Sequence, residues 1–501
     1  MAVVRRGVGL RPLALYLIVL LTFGAGIAAT LKRGKTLEHR VPSAAQPGVV
    51  PSVPADSFSH TLAGGVVGGR LARPLGLLLL ELVVIVLVAR LLGAAFERWG
   101  QPAVVGEIVG GIVLGPSVLG AAAPQAFAFL FRPTALAMLE LFAQIGVVLF
   151  LFVVGLDLDL SLLRGKATAA IAVSHASILV PYFLGVVLSL FLYPELAPPG
   201  VFFSAFALFL GIAMSITAFP VLARILSDRG MTRTPLGSTA ITCAAVDDVT
   251  AWSLLALVVG VAVSKGWTSA AWTIGLALAF TAAMLGVVRP LLARAVRGRA
   301  EAAKAPGKTA MAATLVLLLG SALATEAIGI HALFGAFLAG LVMPRAAKLR
   351  RSLTERLEEV SGVFLLPVFF AFTGLRTQIG LLNDLSSWLL CAVIVLVATA
   401  GKLGAGMLAA RWTGMDWIDA FSLGALMNTR GLMELIALNV GYDLKILSPR
   451  IYTMMVLMAL ITTFATGPLL SAAERQRRRA RRESYAVNAV AASRRSPTRN
   501  P

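Results

Sequence analysis

Two adjacent acidic residues, Asp247 and Asp248, lie in the middle of an otherwise apolar segment that runs from Thr239 to Val263. A carboxylate at the centre of a bilayer costs roughly 2.5–3.5 kcal/mol on insertion scales. Two neighbours are therefore tolerated only beside a wet cavity, a cation or a positively charged partner. Because a carboxylate holds either a proton or a hard cation on its oxygens, the pair is suited to coupling two cation fluxes and indicates ion transport.

The composition is that of a membrane protein. Hydrophobic residues make up 58% of the chain and charged residues 14%, and the mean hydropathy is +0.87, outside the range of soluble domains. Apolar stretches recur from Leu13 to Leu470, and stretches of about 20 residues cross a hydrocarbon core of ~30 Å. They do not alternate between apolar and polar residues, which excludes a transmembrane barrel. The sequence predicts an all-α polytopic membrane protein.

The formal net charge is +20, but the basic residues lie in short loops and one tail, so we expect no nucleic-acid partner. The tail run RQRRRARR, from Arg475 to Arg482, is suited to anionic lipid headgroups on the cytoplasmic side. Both cysteines, Cys243 and Cys391, lie in apolar segments. We therefore expect neither a disulfide framework nor a cysteine metal site, and we predict no cofactor.

The chain divides into four parts by composition. Residues 1–31 fit either a signal sequence or an extra transmembrane helix, residues 32–74 an extramembrane linker, residues 75–471 the transmembrane domain and residues 472–501 a basic cytoplasmic tail. Thirteen spans are predicted in the transmembrane domain: 75–96, 103–121, 135–156, 167–193, 200–226, 237–263, 270–296, 309–328, 330–344, 357–378, 385–411, 416–441 and 449–471.

The distribution of Lys and Arg orients these spans. The loops that follow the odd-numbered spans carry nineteen basic residues close to the ends of the spans. The short loops on the opposite side carry five, namely Arg132, Lys265, Arg376, Lys445 and Arg450. Cytoplasmic loops are the ones enriched in Lys and Arg. The predicted location is therefore the cell membrane, with the transmembrane domain starting outside and the C-terminus in the cytoplasm.

Two predicted spans are interrupted halfway by polar residues, proline or glycine. The fifth contains Ser215, Thr217 and Pro220, and the twelfth contains Asn428, Thr429, Arg430 and Gly431. Proline removes a backbone donor, and glycine and asparagine adopt non-helical dihedral angles. Irregular backbone at this depth persists only where protein or a cavity satisfies it. Matching interruptions in two halves predict an inverted-repeat transporter with its site near the midplane.

Five stretches resemble the monovalent cation:proton antiporter superfamily, specifically the branch with bacterial sodium or potassium/proton antiporters and plant cation/proton exchangers. They are GEIVGGIVLGPSVLG (106–120), SITAFPVLARIL (215–226), AAVDDVTAW (244–252), HALFGAFLAGLVMP (331–344) and NTRGLMELIALNVG (428–441). The resemblance covers residues 75–471 in the family's order. It implies a thirteen-helix fold with a dimerisation domain, a six-helix ion-translocating core and two broken helices that cross, and hence a homodimer.

The resemblance also implies roles for individual residues. Asp248 matches the aspartate that binds cation and proton alternately, and Asp247 matches a neighbour that is Asp in electrogenic members. Lys402 matches the lysine that pairs with Asp247. Ser215 and Thr217, at the first break, are expected to join the aspartates in binding the ion. The crossing itself is expected at Ser215–Pro220 and Asn428–Gly431.

Some residues and functions stay open on the sequence alone. Glu107 and Glu434 are expected in structural ion pairs, with the arginine near the broken helix, Arg430, as a partner. The Asp247–Lys402 pair is either part of the ion site or purely structural. The leading function is antiport of Na⁺ or K⁺ against protons, in pH homeostasis; the alternative is a cation channel or a non-transporting sensor on the same fold. The chain is not expected to be an enzyme.

Overall fold

Helices form almost all of the structure, a computed structural model that describes residues 10–40, 74–157, 167–263, 267–297, 308–344 and 347–493. No strand occurs within these ranges, so the predicted all-α fold is confirmed. The helices, in chain order, are α1 (Leu10–Gly34), α2 (Pro74–Arg98), α3 (Ala103–Leu114), α4 (Leu119–Ala122), α5 (Pro124–Leu130), α6 (Pro133–Asp157), α7 (Ala167–Leu196), α8 (Phe203–Ser215), α9 (Phe219–Asp228), α10 (Pro235–Val263), α11 (Trp267–Ala283), α12 (Arg289–Arg297), α13 (Lys308–Ile328), α14 (Ala332–Val342), α15 (Ala347–Val360), α16 (Leu366–Arg376), α17 (Leu385–Trp412), α18 (Trp417–Met427), α19 (Leu432–Asp443) and α20 (Pro449–Ser493).

Each predicted span has a helical counterpart. Eleven described segments are long and apolar enough to cross a membrane. The ninth predicted span is the shorter apolar helix α14, and the twelfth is divided into α18 and α19, of 11 and 12 residues. The number of thirteen crossings stays a prediction, because length and composition define these segments without a bilayer.

Helical structure continues beyond residue 31 and beyond residue 471, the predicted ends of the first segment and of the last span. Helix α1 continues to Gly34 and a 3₁₀ helix follows over Lys35–Arg40, so the first part of the predicted linker 32–74 is helical; residues 41–73 lie outside the described ranges. Helix α20 continues past residue 471 to Ser493. The local sequence explains this extension, because the segment after Pro468 has no further proline until Pro497 and its Arg and Ala residues are strong helix formers.

The helices pack in two groups. Helices α7, α8, α9, α10, α17, α18, α19 and α20 contact one another, and α2, α3, α6, α13, α14 and α16 form the second set. Small residues bring helices close, as is usual in membranes: a Cβ on Gly374 of α16 would lie 2.4 Å from the backbone of Gly111 in α3. The first group holds the predicted spans four to six and eleven to thirteen, which contain both interruptions and the aspartate pair.

Candidate functional site

The interruption of the fifth span separates α8 from α9. Helix α8 ends at Ser215, Ile216 and Ala218 have extended dihedral angles, and α9 begins at Phe219 with Pro220 in its first turn. Proline is favoured there, because the first amides of a helix have no intrahelical acceptor. Pro220 therefore starts the second half-helix, and the carbonyls at the end of α8 are left without intrahelical donors.

The interruption of the twelfth span depends on one glycine. Helix α18 ends at Met427, and α19 begins at Leu432 after Gly431, whose φ is 154° and ψ −131°. Residues with a side chain rarely adopt this conformation. A Cβ on Gly431 would also lie 3.0 Å from Cγ2 of Val221 in α9. Glycine thus permits both the sharp change of direction and the close approach of the two broken segments.

The two interruptions touch each other. The backbone amide of Ala218 donates to the carbonyl of Thr429 over 3.0 Å, and Thr217 Oγ1 donates to the carbonyl of Met427 over 3.0 Å. Each segment therefore supplies partners for backbone groups that the other leaves free. This mutual satisfaction is what allows irregular backbone to persist at membrane depth.

Asp247 is fully buried and fully partnered. Its Oδ1 accepts from Ser174 Oγ (2.8 Å) and lies 3.4 Å from Ser177 Oγ, and its Oδ2 contacts the Thr217 hydroxyl and accepts from Lys402 Nζ (3.2 Å). The Ser177 and Thr217 hydroxyls each share one proton between Asp247 and a backbone carbonyl, that of Ser174 or Met427. Both Asp247 and Lys402 have 0% side-chain exposure. The pairing of Asp247 with Lys402 that the resemblance implied is present in the geometry.

Lys402, on α17, connects this aspartate to the end of α8. Besides Asp247, its ammonium donates to the carbonyls of Ser177 (3.2 Å) and Ser215. All three ammonium protons thus have acceptors. The Ser215 carbonyl is one of the groups that α8 leaves free at its C-terminus, where a positive charge is favourable. The Ser215 hydroxyl donates to the carbonyl of Ile212 over 2.9 Å, so this residue meets Lys402 through its backbone.

Asp248 is equally buried, at 1% exposure, but its carboxylate is bare. Neither oxygen has a hydrogen-bond partner within the described residues. Lys402 and the backbone N–H of Phe219 act favourably on the charged carboxylate. Phe219 opens α9, so the positive end of that half-helix faces this carboxylate. A buried carboxylate with free oxygens requires a proton or a cation to balance it.

Arg430, between α18 and α19, binds the end of α8 through its side chain and α20 through its backbone. Its guanidinium donates to the carbonyls of Ala213 (3.1 Å) and Met214 (2.7 Å) and pairs with Glu434 over 3.2 Å. The backbone of Arg430 exchanges hydrogen bonds with the hydroxyl of Thr463 in α20, at 3.0 and 2.7 Å. Two buried cations, Arg430 and Lys402, therefore cap the C-terminus of α8.

Within the described ranges, no hydrogen bond joins the remaining predicted residues to the aspartates. Glu107, on α3, forms a long ion pair with Arg90 over 3.8 Å, whereas the ion-pair partner of Arg430 is Glu434. The Thr429 hydroxyl donates to Thr466 over 3.5 Å. Asn428 is 1% exposed, and its amide has no hydrogen-bond partner within the described ranges.

Sequence reasoning missed Ser174 and Ser177, which donate two hydrogen bonds to Asp247 from α7. Their three-residue spacing places both on one face of a helix. Hydroxyls on one face of an apolar span are a signal for a buried polar partner. The sequence does not say which of the buried charges is that partner, because α7 and α10 meet only in the folded chain.

The fold and the buried carboxylate at two crossing half-helices define a membrane ion transporter. Residues 83–473 match the transmembrane domain of the sodium/hydrogen exchanger family. The chain belongs to this family, and the resemblance stated from the five stretches is confirmed.

Similar proteins agree with this assignment. The chain is 43% identical over 395 residues to the Na⁺/H⁺ antiporter NhaS4 of Synechocystis, covering 79% of this chain and 96% of that protein. It is 38% identical to cation/H⁺ antiporter 18 of Arabidopsis thaliana (82% of this chain, 50% of that one) and 32% identical to K⁺/H⁺ antiporter 1 of Saccharomyces cerevisiae (81% and 47%). It thus spans about half the length of the plant and yeast proteins.

A solved structure has the same fold. The sodium proton antiporter MjNhaP1 of Methanocaldococcus jannaschii superposes with a TM-score of 0.58 over 80% of this chain and 97% of that one, at 15% identity. At this identity the match concerns the fold alone.

Proposed function

We propose that this chain exchanges a monovalent cation, Na⁺ or K⁺, for protons across the cell membrane by alternating access, and that Asp248 binds cation and proton in turn. One observation carries the assignment: both oxygens of Asp248 are buried without partners, whereas its neighbour Asp247 uses both of its oxygens. Oxygen ligands suit monovalent cations and protons alike, so the two compete for one site.

The charges around the crossing support this division of roles. Asp247 is balanced by Lys402, and Glu434 is balanced by Arg430. The charge of Asp248 is the one that these pairs leave uncompensated. A cation or a proton on Asp248 removes that charge, and the bare carboxylate is costly to move through the protein interior. The transporter then changes access mainly when loaded, which couples the two fluxes.

We further propose that exchange is electrogenic, through a second proton held by the Asp247–Lys402 pair. If this pair opens during the cycle, Asp247 takes up a proton as Asp248 does, and two protons then oppose one cation. The net charge moved would be driven by the membrane potential, by ~2.3 kcal/mol per charge per 100 mV. The homodimer and the cytoplasmic C-terminus are proposals of the same kind, supported by the resemblance and by the distribution of basic residues.

The test of the proposed function is Asp248→Asn in inside-out vesicles with an imposed pH gradient. Addition of NaCl or KCl should dissipate the gradient in wild-type vesicles and leave it intact with the variant, because asparagine has no charge for a cation to balance. Asp228→Asn is the matched control, because Asp228 lies exposed at the end of α9. Cation-dependent proton movement at the wild-type rate by Asp248→Asn would refute the assignment. A cation flux without any counter-flux of protons would instead indicate a channel.

A further inference from the structure

The N-terminal helix α1 lies against the ion-translocating group of helices. It contacts α7 and α8. The ring of Phe23 meets that of Phe183 in α7 edge-to-face, with centroids 5.5 Å apart. A Cβ on Gly26 would lie 2.8 Å from the Phe183 ring, and one on Gly34 would lie 1.9 Å from the Phe203 ring. At both positions any side chain would require the facing ring to move, so glycine is the residue that allows these contacts.

The contact face of α1 has a regular spacing. Gly26, Thr30 and Gly34 follow one another every four residues, and Thr30 is buried at 9% exposure, with its hydroxyl bonded to the Gly26 carbonyl over 2.8 Å. Small residues at this spacing bring membrane helices into close contact. A cleaved signal sequence needs only an apolar run and a cleavage site, and has no use for a complementary packing face.

The 3₁₀ helix after α1 ends this contact with a specific hydrogen bond. Glu38 Oε1 accepts from the backbone N–H of Phe203 over 2.8 Å. Phe203 is the first residue of α8. The first amides of a helix have no intrahelical acceptor, and a carboxylate at this end also interacts favourably with the helix dipole. Glu38 therefore acts as a cap on α8 from a distant part of the chain.

The capped helix leads directly to the ion site. Helix α8 has 13 residues, about 20 Å at 1.5 Å per residue. Its far end supplies the carbonyls that Arg430 and Lys402 bind. A shift of α8 along its axis would move the Ser215 carbonyl away from Lys402 and so disturb the partner of Asp247.

We infer that residues 10–40 remain in the mature protein as an integral helix of the transport domain, and that Glu38 is a positioning residue that fixes α8 at the ion site. The retention of α1 follows from its packing alone. The effect of Glu38 on transport rests on the proposed function, so the two parts are tested by different measurements.

Retention is tested by intact-mass spectrometry of the protein purified from membranes. The expected mass includes residues 1–31, and a functional protein that lacks them would overturn the inference. As an independent measurement, Gly34→Leu should lower the thermal midpoint, because its side chain would collide with Phe203. Gly24→Leu is the control on the same helix, because a Cβ on Gly24 meets nothing within 4 Å. Equal midpoints for the two variants would show that α1 does not pack on α8.

The positioning role is tested by Glu38→Ala and Glu38→Gln in the vesicle assay. We expect Glu38→Ala to reduce the exchange rate roughly fivefold, because removing a helix cap typically costs ~1 kcal/mol of helix stability. The apparent cation affinity should change as well. Glu38→Gln keeps the acceptor oxygen and should restore most of the rate. Glu195→Ala, at an exposed position in the last turn of α7, controls for loss of charge.

The outcomes separate the two proposals. A wild-type rate and cation affinity in Glu38→Ala would overturn the positioning role. Failure of the wild-type protein to exchange cations for protons would refute the proposed function, while the mass and the two glycine variants would still decide whether α1 is retained and packed.

Discussion

Replacing Lys402 with methionine should destabilise the protein more than any exposed charge substitution. Methionine keeps most of the apolar stem and removes the ammonium, so packing is nearly preserved while Asp247 loses its cationic partner. The carbonyls of Ser177 and Ser215 lose a donor at the same time. The perturbation therefore removes one fully buried ammonium, with its charge and its hydrogen bonds, and leaves the packing of the stem in place.

The magnitude follows from the contacts. Removing one member of a buried ion pair typically costs ~3–5 kcal/mol. The hydroxyls of Ser174, Ser177 and Thr217 still lie within hydrogen-bonding distance of Asp247 and offset part of this cost. We therefore expect a loss near the lower end of that range, about 3 kcal/mol. Asp247→Asn in the Lys402→Met background should recover much of it, since no charge is then left unpaired.

The assay is a double-mutant cycle on thermal or denaturant unfolding in detergent, with Asp247→Asn, Lys402→Met and the double variant. Contacting residues show coupling of ~0.5–3 kcal/mol in such cycles, and a buried ion pair belongs at the upper end. Arg411→Met, at the exposed end of the same helix, is the matched control and should change stability by less than about 1 kcal/mol. An unchanged midpoint for Lys402→Met, or additive effects of the two substitutions, would refute the geometry of this pair.

Three further predictions concern the crossing, the tail and the charge moved. Gly431→Ala should lower the free energy of unfolding by about 1–3 kcal/mol, because the residue is forced into a rare conformation, and so lower the thermal midpoint. Gly275→Ala, in open space on α11, is the control, and equal midpoints would contradict the strain argument. Deletion from Arg475 should leave exchange intact. The ion pair that it removes, Arg477 with Asp419, is partly exposed, and such pairs contribute only ~0–1 kcal/mol. A well-expressed truncation without transport would show that the tail takes part in the mechanism. Cation gradients at symmetric pH should produce transient currents on a supported membrane, and potential-independent exchange without current would make the mechanism electroneutral.

The sequence predicted the site in outline because its signals are local. The aspartate pair in an apolar segment and the polar residues halfway along two spans require no knowledge of the fold. The pairing of Lys402 with Asp247 was predicted only from the family resemblance, because a lysine in an apolar helix does not by itself indicate which residue it pairs with. The binding of Arg430 to the Ala213 carbonyl joins residues 217 positions apart. Such contacts depend on helix packing, which periodicity does not encode.

The ends of the chain were the least predictable part. Residues 1–31 were left undecided between a signal and a helix because hydrophobicity alone fits both, and the features that favour a retained helix are the close approaches of Gly26 and Gly34 to aromatic rings. The helical extension of α20 was missed because a run of arginines was interpreted by charge. The same run has high helix propensity, and the preceding helix supplies the nucleus from which it continues.

The continuous helix α20 joins the membrane site to the bilayer surface. Arg229, just after α9, bonds to the Gly467 carbonyl (2.9 Å) and Ser471 (3.1 Å), and Asp419 at the start of α18 contacts Arg477. Helices α9 and α18 are thus both bonded to one long helix, which also carries Arg477, Arg478 and Arg479. If these two helices moved along the membrane normal, the arginine cluster would move with them relative to the lipid headgroups. The attraction between anionic headgroups and basic residues, ~1 kcal/mol per residue, would oppose that movement. The anionic lipid content of the leaflet at this end would then shift the balance between access states towards the one that keeps the arginines closest to the lipid, while exchange itself does not require the tail.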